Sequence, residues 1–173
     1  MKRVLIYDRL ILFLIHQYRT PAMNKILRLI TRSGNGGAVW IIIGFCFLAV
    51  SGDFKGVILF YSSMITCALV NNLLIKSLFM RKRPCDRFTR IPLLIKRPCG
   101  SSFPSGHTAV SFACASVLWY LSVPAGIAAL VLAAVIGYTR IYFFVHFPSD
   151  VLFGVISGVS STLLVISLSN LVR

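Results

Sequence analysis

Four long stretches without Asp, Glu, Lys or Arg constrain this chain more than any other feature. They cover residues 34–52, 57–75, 100–139 and 151–172, and they are 19, 19, 40 and 22 residues long. A helix that spans a membrane needs roughly 20 consecutive apolar residues. The 40-residue stretch is about long enough for two spans, and Pro124 marks the natural break because proline disfavours a helix interior. The pattern therefore predicts five membrane-spanning helices.

Composition favours a bilayer as the solvent for most of the chain. Hydrophobic residues make up 57% of the 173 residues and charged residues only 13%, whereas soluble domains carry about 25% charged residues. One small core could not bury so much apolar surface. We expect a single domain over residues 1–173, in which residues 34–173 form the bundle.

The first 33 residues follow a different pattern, in which apolar and basic side chains alternate at helical spacing. The apolar set is Met23, Ile26, Leu27 and Ile30, and the basic set is Lys25, Arg28 and Arg32. This periodicity predicts an amphipathic helix at the membrane interface. We expect no cleaved signal peptide, because no small-residue cleavage site follows. The expected fold class is all-α, a five-helix membrane bundle with an interfacial N-terminal helix.

The charge of the chain is strongly positive. It has 18 Lys and Arg against 4 Asp and Glu, a formal net charge of +14. Beside such apolar stretches, this excess indicates anionic lipid rather than nucleic acid as a partner, although an anionic substrate would explain the charge equally well. With five spans, the N-terminus and the connections at 76–103 and 140–150 share one membrane face.

Two predicted helices begin on that face with sequences suited to an anion. One begins near Pro104, Ser105 and Gly106, and the other near Pro148. Proline is favoured in a first helical turn, and helix N-termini present free N–H groups that bind phosphate. Gly106 allows the backbone to approach an anion closely.

Three cations from other connections reach the same level. Lys76 and Arg83 follow the second predicted span, and Arg140 ends the fourth. The planar guanidinium matches pairs of phosphate oxygens. Together with the Ser105 hydroxyl, these cations could neutralise a phosphoryl group during transfer without a metal.

Two histidines and one aspartate complete the candidate site. His107 lies at the start of the third span, and His146 lies four residues before Asp150. A carboxylate can bind one imidazole nitrogen and leave the other free to attack phosphorus, while His107 protonates the departing oxygen. Singly, each of these residues could instead be an interfacial anchor or a helix-end residue.

The combination is more specific than its parts. The chain contains Lys76-x6-Arg83-Pro84, then Pro104-Ser105-Gly106-His107, then Arg140-x5-His146-x3-Asp150. These strings resemble the signature of the type 2 phosphatidic acid phosphatase (PAP2) superfamily over about the last 100 residues. One departure is Thr139, where the family usually has serine before the arginine.

The resemblance implies a role for each position. His146 would form a phospho-histidine intermediate, Asp150 would orient it, and His107 would protonate the leaving lipid oxygen. The phosphate would be held by Lys76, Arg83, Ser105, Gly106 and Arg140. The family implies a multi-pass membrane protein with its site at a membrane surface. It implies no metal and no cofactor.

Two other classes compete with a lipid phosphatase. A non-enzymatic carrier or structural protein is disfavoured because the apolar stretches lack charged residues and do not form two equal halves. A metal-dependent hydrolase could use His107, His146 and Asp150 as zinc ligands, but the neighbouring cations would repel the metal.

Substrate and sidedness stay open at the level of sequence. Small bacterial members that the chain resembles act on undecaprenyl diphosphate, phosphatidylglycerophosphate or lipid A 1-phosphate. The positive-inside rule places the basic face in the cytoplasm, whereas the family resemblance favours the outer leaflet, which we adopt as the expectation. Cys85 and Cys99 flank the basic loop, and spacing alone does not decide between a disulfide and free thiols.

Overall fold

The computed structural model describes residues 2–171, and that range is helical without any strand. The helices are α1 (Lys2–Gln17), α2 (Pro21–Ser33), α3 (Ala38–Ser51), α4 (Phe54–Leu69), α5 (Lys76–Leu78), α6 (Pro84–Arg87), α7 (Gly106–Leu121), α8 (Val123–Tyr142) and α9 (Pro148–Leu171). A 3-10 turn at Asn35–Gly37 precedes α3, and a π-helical segment at Val70–Ile75 joins α4 to α5. The all-α prediction is confirmed.

Three helical stretches between residues 2 and 171 are long and apolar enough to cross a membrane: Phe54–Leu78, Val123–Tyr142 and Pro148–Leu171. A fourth candidate is the pair Pro21–Ser33 and Asn35–Ser51, which is bent by 55° at its break. Helices α3 and α7 have only 14 and 16 residues, fewer than a full span needs. The described residues therefore contain at least three candidate spans, and the number five stays a prediction.

Helix α7 lies at the centre of the bundle, where it packs against α4, α8 and α9. Small residues allow this close packing. A Cβ on Gly158 of α9 would lie 2.3 Å from the Ala109 carbonyl oxygen, and one on Gly154 would lie 2.8 Å from the Ser105 oxygen. Two glycines four residues apart form the motif that lets helix backbones approach closely in membranes. This packing fixes the first turn of α7 against the first turns of α9.

The break at Pro124 is confirmed. Helix α7 ends at Leu121, and α8 begins at Val123 with Pro124 in its first turn. The two helices remain in close contact because Gly126 lies directly against Trp119, where a Cβ would be 2.3 Å from the Trp119 Cα atom. The long charge-free stretch is thus a helical hairpin.

Residues before position 34 form two helices rather than one. Thr20 caps α2 by accepting a hydrogen bond of 3.2 Å from the Met23 N–H, and Leu27 is buried against α8. Ile26, predicted on the apolar face, is 58% exposed. Asp8 does not interrupt α1 but is buried, with 3% of its surface exposed. The interfacial position of this region stays a prediction.

Candidate active site

A cavity of about 350 Å³ opens where α5, α7 and the end of α8 meet. Six of the eight predicted site residues line it: Lys76, Arg83, Gly106, His107, Arg140 and His146. The rest of the wall includes the apolar side chains of Trp40, Met64, Ala68 and Val110. The cavity therefore joins a cationic end to an apolar end, as a phosphate attached to an apolar chain would require.

A tight turn between α8 and α9 presents His146 to this cavity. The backbone N–H groups of Val145 and His146 both donate to the Arg140 carbonyl, at 3.2 and 3.1 Å. Phe144 adopts the left-handed region with φ 60°, which is unfavourable for a bulky residue. Its ring is buried against Leu12 and Phe147. Aromatic packing thus holds the turn that places the histidine.

The two ring nitrogens of His146 have different partners, which define its tautomer. Nδ1 lies 2.6 Å from the Ser102 carbonyl oxygen, which can only accept, so Nδ1 carries the hydrogen. Nε2 lies 3.1 Å from Nη1 of Arg83, and arginine can only donate. The lone pair therefore lies on Nε2, which accepts a hydrogen bond from Arg83 of the cavity wall. A histidine that acts as a nucleophile requires such a lone pair.

Burial keeps His146 neutral. Loss of solvent, together with the Arg140 and Arg83 charges, lowers the pKa of His146 to about 4, although the Asp150 carboxylate acts in the opposite direction. Protonation would place a further cation among arginines in a low-dielectric site. Near pH 7 the imidazole therefore retains the lone pair that nucleophilic attack needs.

Arg83 makes more protein contacts than the sequence suggested. All five guanidinium N–H groups have acceptors: the carbonyls of Cys99, Gly100, Ser101 and Val145, and Nε2 of His146, at 2.9–3.2 Å. Burial lowers the pKa of Arg83, but an arginine stays charged at physiological pH. Arg83 thus clamps two loops together and covers Nε2 of His146, the predicted nucleophile.

Asp150 lies near His146 but does not bind its Nδ1 directly. The Asp150 Oδ2 atom is 3.8 Å from Nδ1, beyond hydrogen-bond distance. That oxygen accepts instead from the Phe147 N–H at 2.8 Å and from the Ser102 hydroxyl. Asp150 therefore holds Ser102, whose carbonyl orients the imidazole. Asp150 thus contacts His146 through Ser102, whereas the sequence interpretation assumed a direct hydrogen bond between Asp150 and the imidazole.

A network from the N-terminal helix reaches Asp150, and the sequence interpretation missed it. Arg81 binds Asp150 with one amino group and Asp8 with the other, the latter at 2.6 Å. Asp8 also accepts from Ser149, at 2.9 Å from its N–H and 2.7 Å from its hydroxyl. The signal was available: Asp8 is one of only four acidic residues and interrupts an apolar stretch. A buried charge of this kind needs a partner.

Lys76 follows the π-helical segment directly. A π turn holds an extra residue compared with an α turn, so it rotates the side chains that come after it. Lys76 Nζ donates to Asn72 Oδ1 at 2.8 Å. A Cβ on Gly106 would lie 3.5 Å from this amino group. Lys76 and the first turn of α7 are therefore adjacent in the cavity, as predicted for a phosphate site.

His107 lies in the first turn of α7 and contacts the loop before α3. Its Nε2 is 3.0 Å from Asn35 Oδ1. Gly34 is buried against the ring, and a Cβ there would lie 3.2 Å from His107 Cδ2. Asn35 thus orients the proposed general acid. No sequence signal identified Asn35, because the α2–α3 bend that brings it there is tertiary.

Four hydroxyls and one guanidinium complete the surroundings. Ser105 Oγ lies 2.9 Å from Thr108 Oγ1, and Ser105 is fully buried outside the cavity wall. Thr139 donates to the Ile136 carbonyl at 2.6 Å. Arg140 binds the Thr31 hydroxyl, and its buried Nε has no hydrogen-bond partner. Ser105 therefore does not reach the cavity in this structure, whereas Arg140 keeps a donor available.

Metal ligands and a disulfide were the remaining alternatives. Between residues 2 and 171, no three His, Cys, Asp or Glu side chains are grouped to hold a metal ion. Cys85 and Cys99 are both free thiols. Cys85 is partly buried and its thiol contacts Asp86 at 3.6 Å, whereas Cys99 is exposed. Arg83, which binds the Cys99 carbonyl, restrains this loop.

Comparison with known proteins identifies the class. The family model of the PAP2 superfamily matches residues 56–172, so the chain belongs to this superfamily. A relative by sequence is the bacitracin transport permease protein BcrC of Bacillus licheniformis, 35% identical over 89 residues, which are 51% of this chain and 44% of that protein. The chain thus spans less than half the length of this curated relative.

Solved structures show the same fold. The transmembrane PAP2-type phosphatidylglycerolphosphate phosphatase of Bacillus subtilis superposes with a TM-score of 0.81 at 24% identity, covering 100% of this chain and 89% of that one. LpxE of Aquifex aeolicus superposes with a TM-score of 0.75 at 26% identity, covering 91% and 93%. The N-terminal helices outside the family match therefore have counterparts in solved members of the fold.

Proposed function

We propose that this protein hydrolyses a lipid phosphate or diphosphate without a metal, through a phospho-histidine intermediate. The observation that carries the proposal is His146 itself, a buried neutral imidazole whose Nε2 lone pair faces Arg83. Lys76, His107 and Arg140 line the same cavity. Cations around a transferring phosphoryl group stabilise the charge that a metal would otherwise balance.

The proposed reaction has two steps. His146 Nε2 attacks phosphorus, and the bond between phosphorus and the lipid oxygen breaks. That oxygen keeps the electron pair and takes a proton from His107. Water then attacks the phospho-histidine, and His107 accepts its proton, which releases phosphate and restores both histidines. In the first step, a phosphate oxygen replaces His146 as the partner of Arg83.

The substrate and setting follow from the relatives and the apolar end of the cavity. The candidates are undecaprenyl diphosphate, phosphatidylglycerophosphate and lipid A 1-phosphate, and the solved relatives include a phosphatidylglycerolphosphate phosphatase. We further propose a single domain over residues 1–173, with five spans, an interfacial region before residue 34, and a site facing the outer leaflet of the cell membrane.

The test is hydrolysis of these three lipids by purified protein in detergent, with phosphate release as the readout. Wild type should turn over at least one of them in excess chelator, and vanadate should inhibit. The His146→Gln variant should lose activity by a factor of at least about 10³, as expected when a nucleophile is removed. Ser160→Ala changes an exposed position on α9 and controls for activity lost during purification. This variant should remain active.

Two results would contradict the proposal. An active His146→Gln enzyme would exclude the phospho-histidine step. Loss of wild-type activity in chelator, with recovery on adding zinc or magnesium, would favour the metal-dependent alternative. Enzyme quenched in alkaline detergent during a reaction with ³²P-labelled lipid should also retain label on histidine in wild type and not in His146→Gln, because the P–N bond of phospho-histidine survives in base and hydrolyses in acid.

A further inference from the structure

A second cavity of about 340 Å³ adjoins the first at His107 and Arg140. It lies on the α2 side of these residues, and its wall includes Thr31, Asn35 and Pro98. The two cavities share His107, Arg140, Pro98 and Cys99. Besides His107 and Arg140, the wall of the second cavity consists of residues outside the three-part motif, and those from α2 and the turn after it also precede the matched residues.

The second cavity is strongly cationic. Arg32, Lys96, Arg97 and Arg140 line it, and no Asp or Glu of the described chain is part of its wall. Arg97 pairs with Asp86, whereas Arg32 and Lys96 take part in none of the ion pairs among residues 2–171. Like charges held together in this way repel one another, and an anion between them would remove the repulsion.

A buried, unpartnered donor gives independent evidence for a ligand. Arg140 is 97% buried, since 3% of its surface is exposed, and its Nε has no hydrogen-bond partner. Leaving a charged donor unsatisfied in a buried position costs more than leaving a neutral one. Because Arg140 lines both cavities, an anion bound in either of them would lie beside this guanidinium.

The position of His107 decides which part of a substrate the second cavity would receive. His146 attacks from one side of phosphorus, so the leaving oxygen lies on the opposite side, next to the general acid. His107 also borders the second cavity. Atoms attached to the leaving oxygen therefore continue towards Arg32 and Lys96.

We propose that this second cavity binds a second phosphate, one that remains on the leaving group. This inference rests on the proposed function and narrows its substrate class. The bond from the terminal phosphorus to its bridging oxygen breaks, the oxygen takes the electron pair and the His107 proton, and the product is a lipid that still carries a phosphate. Lipids with a neutral leaving group, such as phosphatidic acid, would leave the cavity without an anion.

The experiment compares paired substrates that differ in this second phosphate. One pair is a polyprenyl diphosphate and the polyprenyl monophosphate, and the other is phosphatidylglycerophosphate and phosphatidic acid. In wild type, kcat/KM should be higher for the first member of at least one pair. In Arg32→Gln and Lys96→Gln, that ratio should fall about three- to tenfold, the loss expected for one charged contact.

Lys25→Gln and Arg90→Gln are matched controls. Both remove one positive charge from an exposed position of α2 or of the same basic loop, and neither residue lines the second cavity. Their substrate ratios should equal that of wild type. The substrate pair whose kcat/KM ratio falls in Arg32→Gln and Lys96→Gln identifies the spacing between the two phosphates.

A binding measurement separates this inference from the proposed function. Methylenediphosphonate should raise the melting temperature of wild type more than inorganic phosphate does, and the difference should shrink in Arg32→Gln. If wild type hydrolyses neither pair and not lipid A 1-phosphate either, the proposed function fails. If it hydrolyses them and the ratios in Arg32→Gln and Lys96→Gln equal those of the controls, the second phosphate site is wrong.

Discussion

At the scale of single residues, Arg83 covers the proposed nucleophile. Its five donors all have protein acceptors, and one of them binds His146 Nε2. A phosphate oxygen is a stronger acceptor than an imidazole nitrogen because it carries charge. In the proposed mechanism, substrate binding would therefore exchange one partner of Arg83 for another and uncover Nε2 when phosphorus is in place.

The lowered pKa of His146 predicts how stability depends on pH. The value falls from 6.5 to about 4 on folding, so between these limits the unfolded chain binds a proton that the folded chain does not. Stability should fall as the pH decreases from about 6.5 towards 4, by on the order of 3 kcal/mol in total. His146→Gln removes this titration and should lose less melting temperature between pH 7.5 and 4.5 than wild type. Melting temperatures of wild type and His146→Gln that decrease by the same amount over this pH range would contradict the prediction.

The Asp8 network predicts an effect that acts through Asp150. Asp8→Asn removes the charge that shares Arg81 with Asp150, and kcat should fall about tenfold with little change in KM. In an Asp150→Asn background, the same substitution should cost almost nothing further, because coupled residues are not additive.

The control for this cycle is Asp53→Asn. Asp53 caps α4 by accepting from the Gly56 N–H at 2.9 Å, and asparagine is an equally good cap. Its kcat should match wild type. Equal losses from Asp8→Asn in the two backgrounds would show that Asp8 does not act through Asp150.

From the sequence, residues whose chemistry restricts the residue type could be grouped into one candidate site. Lys76, His107, Arg140 and His146 all line one cavity, since few other side chains supply a cation or a proton at those positions. The predicted phosphate ligand Ser105 does not line this cavity, because its hydroxyl pairs with Thr108. Asp8 was missed because its partners are 73 and 141 residues away, and such pairing depends on the fold.

At the scale of helices, contact between α7 and α9 positions the phosphate site. The first turn of α7 carries Gly106 and His107, and α9 begins two residues after His146. Their separation is set by Gly154 and Gly158, which lie directly on the α7 backbone. Sequence identified both helix starts, since proline and charge mark them. It did not identify the π-helical segment before Lys76, which depends on contacts between helices such as the bond from Asn71 to Ser157.

Gly158→Ala tests this contact. The added methyl group would lie 2.3 Å from the Ala109 carbonyl oxygen, so α9 must move away from α7. Overpacking of this kind costs about 1–3 kcal/mol, and melting temperature and kcat should both decrease. Ser160→Ala, two residues further along on the exposed side, should match wild type. A Gly158→Ala protein with unchanged stability would mean that the helices adjust without cost.

At the scale of the whole molecule, the exposure of Cys99 makes the membrane face that carries the site measurable. Cys99 is exposed and lines the mouth of both cavities. Burial and the neighbouring Asp86 raise the pKa of the Cys85 thiol, which slows its reaction, since the thiolate is the reactive form. Cys99 is therefore a suitable reporter of sidedness.

For a site facing the outer leaflet, a membrane-impermeant maleimide should label intact cells without prior reduction. Cys99→Ser should abolish the signal. Labelling that appears only after permeabilisation would place the site in the cytoplasm, in agreement with the positive-inside rule. Labelling only after reduction would instead mean that Cys99 is bridged.

The bond between Asp8 and Ser149 also orders the steps of synthesis. The two residues are 141 positions apart, so a ribosome must add 141 residues after Asp8 before Ser149 exists. Arg81, the cation that pairs with Asp8, is available after 73 residues, but Ser149 and Asp150 come only with α9. The network around Asp8 is therefore complete only after α9 has been synthesised. A translation product that is interrupted before α9 lacks this network, so activity should report on whether α9 has joined the bundle.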